Sequence, residues 1–165
     1  MNPIEHAKLM KQRYENIFPL VKEMGYMESL DMRLKFLHQF INVTHSYFND
    51  YVLSTSDNIR ILLWDMLRPD LREIAIVPDR SRIADLADHL GNVLLQWDCG
   101  LLPIGKERVF TIPFEKLLSN LEYFPEDLYI FNDSLDWLII HSHELFDYSD
   151  SSSKWLIVDP SKLLP

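Results

Sequence analysis

The chain of 165 residues is poor in glycine and cysteine and has no long apolar run. Four glycines leave little material for a phosphate-binding loop, in which glycine lets the backbone approach the ligand closely. The single cysteine, Cys99, has no partner for an internal disulfide, and we expect it to be a small buried side chain. No segment approaches the roughly 20 apolar residues that span a bilayer, and the N-terminus lacks the basic and apolar regions of a secretory signal. These absences favour a cytoplasmic protein with no membrane partner.

Positive charge is also scarce, because 16 basic residues stand against 25 acidic ones and the net charge is −9. A surface that binds nucleic acid needs clustered Lys and Arg for the phosphates, so we expect no nucleic-acid partner. An acidic surface does suit a basic protein partner, whose docking it accelerates and orients. The simpler alternative is that the charge only keeps the protein soluble.

Length and hydrophobic content predict one α+β domain spanning residues 1–165, with enough apolar side chains for a core. Apolar residues recur at helical spacing over residues 3–24 and 29–52. Short strands then alternate with short helices, and Gly91 marks the end of one of these helices. This order favours a mainly antiparallel sheet with a C-terminal hairpin, packed against N-terminal helices.

The hairpin is predicted over residues 127–144, where two runs rich in Tyr, Ile, Phe and Trp flank the turn-forming Asn132-Asp133-Ser134. Alternation places Leu128 and Ile130 on one face and Tyr129 and Phe131 on the other. Since both faces are apolar, we expect an inner strand pair covered by helices on at least one side.

Two constellations near the hairpin have the residue types of catalytic or metal sites. His141 and His143 point the same way on a strand, as two ligands of one metal ion must, and the candidates for a third ligand are Asp136, Asp147 and Asp150. A His pair without a recognisable third ligand does not by itself define a metal site. Asp133 and Asp136 bracket the turn, where Asp more often bonds its own backbone than takes part in catalysis. We therefore expect no catalytic residue, metal or cofactor, and keep a metal-dependent hydrolase using His141 and His143 as the alternative.

Four aromatic residues fall beside polar loops and are the ones predicted to be exposed. They are Tyr123, Phe146, Tyr148 and Trp155. Exposed Trp and Tyr side chains are common anchors of protein interfaces.

The hairpin, from Leu128 through its turn and Trp137 to Ser142-His143-Glu144, resembles the C-terminal hairpin of small bacterial immunity-type proteins from polymorphic or contact-dependent toxin systems. Asn132 stands where that pattern has an acidic turn residue, and Ser142 where threonine is usual. The resemblance covers about a tenth of the chain.

The resemblance implies a non-enzymatic protein that binds and blocks a toxin, often a nuclease, whose surface is basic. The predicted partner-binding residues are the acidic ones around the turn and the late loop: Asp133, Asp136, Glu144, Asp147 and Asp150. The third possibility is a structural or regulatory domain that associates with itself through a sheet edge.

Overall fold

The computed structural model describes residues 2–53, 62–71, 74–77, 80–97, 108–125, 127–147 and 152–159. Helices in these ranges are α1 Pro3–Ile17, α2 Tyr26–Phe40, α3 Phe48–Leu53, α4 Arg80–Leu90 and α5 Phe114–Ser119. Strands are β1 Lys22–Glu23, β2 Ile74–Val77, β3 Asn92–Trp97, β4 Phe110–Pro113, β5 Leu128–Phe131, β6 Leu138–Asp147 and β7 Ser152–Val158. Single 3₁₀ turns occupy Leu63–Met66 and Leu121–Tyr123.

The described strands form one sheet in the order β1-β4-β3-β5-β6-β7-β2, and every neighbouring pair is antiparallel. Strands β5 and β6 form the predicted C-terminal hairpin, with Phe131 opposite Leu138 and Leu128 opposite His141. The α+β fold class with its mainly antiparallel sheet is thereby confirmed. The prediction of a single domain over residues 1–165 extends beyond the described ranges and stays a prediction.

The sheet is buried on both faces, as the apolar character of both hairpin faces predicts. On one face Ile130 and Ile139 pack with α4 and α5, and Ile17 of α1 joins them. On the other face Tyr129 and Phe131 pack beneath Phe36 of α2. The two N-terminal helices therefore lie on opposite faces of the sheet.

The first helix is shorter than the predicted span of residues 3–24. Asn2 caps its start, because its side chain accepts from the backbone N–H groups of Ile4 and Glu5 at 2.8 and 3.0 Å. The helix ends at Ile17, two residues before Pro19, which has no backbone N–H to donate to the carbonyl of Glu15 and so cannot continue the helix. The chain then turns and Lys22–Glu23 pairs with β4 at the edge of the sheet.

The predicted helix over residues 29–52 is wrong in one respect, because the chain forms two helices there. Helix α2 ends at Phe40, and Ile41 is extended and bridges Leu67. The side chain of Asn42 accepts from the Thr44 backbone N–H at 3.2 Å, a local bond that competes with helical pairing. Because Ile41, Val43 and Thr44 are β-branched, they also favour extended structure over helix.

Candidate protein-binding surface

The turn between β5 and β6 is held in one conformation by its own side chains. The Asn132 side chain accepts from the Asp136 N–H at 2.9 Å, and the Ser134 hydroxyl donates to the Asp136 carboxylate at 2.6 Å. The Asn132 amide nitrogen donates to Ser134 Oγ at 2.7 Å and to the Asp136 carboxylate at 3.3 Å. Asp133 and Asp136 are both exposed, and Asp136 is in addition a structural residue of the turn.

Two large side chains attach this turn to the core. Leu135, which has a positive φ of 56°, is buried against the α2 face of the sheet. Trp137 is buried on the opposite face among the side chains of α4 and α5. Because Leu135 and Trp137 are buried on opposite faces of the sheet, the backbone that carries the exposed Asp133 carboxylate is rigid.

The structure does not bring all five predicted partner-binding residues together. Asp133 and Asp136 precede β6, whereas Glu144 and Asp147 lie in its second half. Strand geometry separates the turn from Glu144 by roughly 20 Å. In the described residues, β6 pairs beyond His141 with β7 alone, and the register shifts before Phe146. The backbone at Glu144 and Asp147 therefore belongs to a two-stranded ribbon at the other end of the sheet. The side chains of both residues, and all of Asp150, lie outside the described part of the structure.

Other carboxylates lie at the same end of the sheet as Asp133, as the strand order and register show. The strand ends that meet there are the start of β3, the end of β4, the end of β5 and the end of β7. We call this region the turn end. Its carboxylates are Asp88 in the last turn of α4, Glu115 in the first turn of α5, Asp133, Asp136 and Asp159. Asp88, Glu115 and Asp133 are exposed, and Lys116 and His89 are the basic side chains on the same helix ends.

His141 is an aromatic packing residue in this structure. It lies opposite Trp155 on β7, and the two ring centroids are 4.5 Å apart. Trp155 is fully buried, so the prediction that it is exposed is wrong; Tyr123 is exposed as predicted. Among the described side chains, which do not include His143, no group of three potential metal ligands is found. No observation in those residues favours the metal-dependent hydrolase.

One feature of α2 has no counterpart in the sequence-based site predictions. Met27 and Leu34 are 72% and 58% exposed, and the half-buried Leu30 lies between them on the same helix face. We call these three residues the α2 row. The sequence signal was the recurrence of apolar residues at helical spacing over residues 29–52, which does not show which side of the helix is covered. In the structure Phe36 and Phe40 face the sheet, and the α2 row faces solvent.

These features define an α+β protein with an acidic strand end and an exposed apolar helix face. None of the protein-family models, curated proteins or solved structures that were compared with the chain matches it. In the described ranges, no helix has both the length and the apolar character needed to cross a bilayer.

Proposed function

We propose that the protein is a non-enzymatic protein-binding domain that docks on a basic protein through the turn end of its sheet. The observation that carries the proposal is the exposure of Asp88, Glu115 and Asp133 at one end of the sheet. They lie in the last turn of α4, the first turn of α5 and the β5–β6 turn. Carboxylates in such an array produce an additive field that accelerates and orients the approach of a positively charged partner. The net charge of −9 acts in the same direction.

The kind of partner comes from the resemblance of the hairpin to immunity-type proteins. A protein that neutralises a toxin must bind it quickly and tightly, and nuclease toxins present basic surfaces to their nucleic-acid substrates. A rigid acidic end suits this task, because a preorganised surface loses little conformational entropy when it binds. We therefore propose a cognate nuclease-type toxin domain as the partner.

The experiment begins with the gene immediately upstream, which this proposal requires to encode a large toxin. The C-terminal domain of that toxin is purified, and its association with the protein is followed by stopped flow and calorimetry. We expect a submicromolar Kd and an association rate that falls steeply as ionic strength rises. Absence of binding to that domain removes the proposal.

A matched pair of charge-reversed variants tests the surface itself. The test variant carries Asp88→Lys, Glu115→Lys and Asp133→Lys, and the control carries Glu28→Lys, Asp50→Lys and Glu122→Lys. All six residues are exposed, and both variants change the net charge by the same amount. We expect association to slow at least tenfold in the test variant and about threefold or less in the control. Equal slowing in both would show that overall charge, not the turn end, directs binding.

A further inference from the structure

Helix α2 carries a buried arginine whose hydrogen-bond partners are both neutral. Arg33 is only 7% exposed. Its Nη1 donates to Oε1 of Gln96 on β3 at 2.7 Å, and its Nη2 donates to the hydroxyl of Tyr51 on α3. Gln96 and Tyr51 are themselves 0% and 2% exposed. We call these three residues the Arg33 cluster.

The cluster has more hydrogen-bond donors than acceptors. A guanidinium has five N–H groups and keeps its charge at any physiological pH, and the two bonds use two of these groups. The amide nitrogen of Gln96 is also buried, and it has no hydrogen-bond partner among the described residues. No carboxylate of the described residues forms an ion pair with Arg33. Among the described residues, a buried cation and a buried amide N–H donor without a partner therefore lie side by side with no matching negative charge.

We propose that the Arg33 cluster binds a small oxyanion, a carboxylate or phosphate group, between α2 and β3. Such a group supplies the missing charge and accepts from both the guanidinium and the Gln96 amide. Arginine suits this role because its planar donors match the oxygens of carboxylate and phosphate. This site is independent of the turn end and of the proposed protein partner.

The competing explanation is purely structural, with the cluster serving only to fasten α2 and α3 to β3. The two explanations differ in their response to anions. A binding site makes the folded state more stable when the anion is present, because the anion binds the folded chain and not the unfolded one. A structural tie gives no such response.

The first test measures the melting temperature Tm in a buffer whose only anion is a bulky organic sulfonate. Phosphate or acetate then replaces the sulfonate stepwise at constant ionic strength. We expect the better ligand, at about ten times its Kd, to raise Tm by roughly 3 to 6 °C. The anion that acts at lower concentration identifies the site as a phosphate or a carboxylate site. No rise with either anion overturns the proposal.

Arginine variants show whether the response comes from this cluster. In Arg33→Met the rise in Tm should disappear. Arg108→Met is the matched control, because Arg108 is half-buried and already pairs with Glu23 at 3.2 Å, and it should keep the full response. An unchanged response in Arg33→Met overturns the proposal.

A second substitution covers the case in which Arg33→Met does not fold. Gln96→Glu keeps the side-chain shape and places a carboxylate on the guanidinium. If the cluster requires an anion, this variant should have a higher Tm than the natural protein in sulfonate buffer and should no longer respond to phosphate or acetate. A lower Tm would show that Arg33 already has a counter-charge, and the proposal would then fail.

Discussion

At the residue scale, polar groups buried inside the sheet contribute to stability through their hydrogen bonds. Ser142 on β6 is fully buried, and its hydroxyl donates to the carboxylate of Asp127, which is 8% exposed, at 2.8 Å. A buried carboxylate that loses a donor retains the cost of its desolvation without the compensating bond. The Ser142 hydroxyl therefore stabilises the fold by satisfying this buried carboxylate.

Ser142→Ala should lower the free energy of unfolding by about 1–3 kcal/mol, as measured by urea denaturation. Ser119→Ala is the matched control. The Ser119 hydroxyl also donates, at 2.9 Å to the Glu115 carbonyl, but on the surface, so the change should stay within about 0.5 kcal/mol. Equal effects in the two variants would contradict the role given to burial.

Gly91 allows a second prediction at this scale. It follows α4 with a φ of +58°, a left-handed conformation that costs other residues about 1–2 kcal/mol. A Cβ at this position meets nothing within 4 Å, so the cost of Gly91→Ala is conformational and not steric. Gly25, at the start of α2, has an ordinary φ of −52°.

We therefore expect Gly91→Ala to reduce the free energy of unfolding by about 1–2 kcal/mol. Gly25→Ala, where the nearest contact of a Cβ is an ordinary 3.7 Å, should cost less, about 0.5–1 kcal/mol, because Gly25 is the N-cap of α2 and alanine is a poorer N-cap than glycine. Chemical denaturation of both variants under the same conditions makes the comparison. A larger loss at Gly25 would mean that the backbone conformation at Gly91 is not the cause.

At the element scale, helix α2 has two apolar sides, one packed on the sheet and one exposed to solvent. The Phe36 ring lies 4.9 Å from the Phe131 ring and 6.0 Å from the Tyr129 ring, centroid to centroid. Leu34, two residues earlier, is 58% exposed. Apolar spacing alone predicted the helix but did not separate these two sides, because both sides carry large apolar residues.

Phe36→Ala should cost about 3–5 kcal/mol of stability, since it leaves a cavity between α2 and the sheet. Leu34→Ala should change stability by about 0.5 kcal/mol or less.

Leu34→Ala also tests whether the protein associates with itself, which light scattering measures. A dimer that Leu34→Ala converts to monomer would assign the α2 row to contacts between copies of the chain.

At the scale of the whole molecule, stability should fall from the centre of the sheet to its edges. Strands β3 and β5, and β6 as far as His141, have neighbours on both sides and are covered on both faces, whereas β1 is a two-residue edge strand with exposed Lys22 and Glu23. Charged residues on so short an edge also discourage pairing with another chain.

Native-state hydrogen exchange should show this order. We expect the amides of β5 to exchange only on global unfolding and those of β1 to exchange by local opening, orders of magnitude sooner. Strand β3, which is central although it lies far from β5 in sequence, serves as an internal check and should follow β5. Comparable protection in β1 and β5 would contradict this order.

The sequence by itself determined the local elements whose signals come from neighbouring residues. Gly91 ends α4 as predicted, and alternation in the hairpin assigns its residues to the correct faces. The break after Phe40 was also encoded locally, in the β-branched residues around Asn42, but the apolar stripe of the long helix concealed it.

Tertiary structure alone decided which residues meet. Asp133 and Glu144 are close in sequence, yet a strand between them places them at opposite ends of the sheet. Arg33, Tyr51 and Gln96 are far apart in sequence and come together because α2 and α3 cover the same face of β3. Periodicity reports the environment of each residue along its own element, whereas the packing of elements against one another sets the charges and donors that share a site.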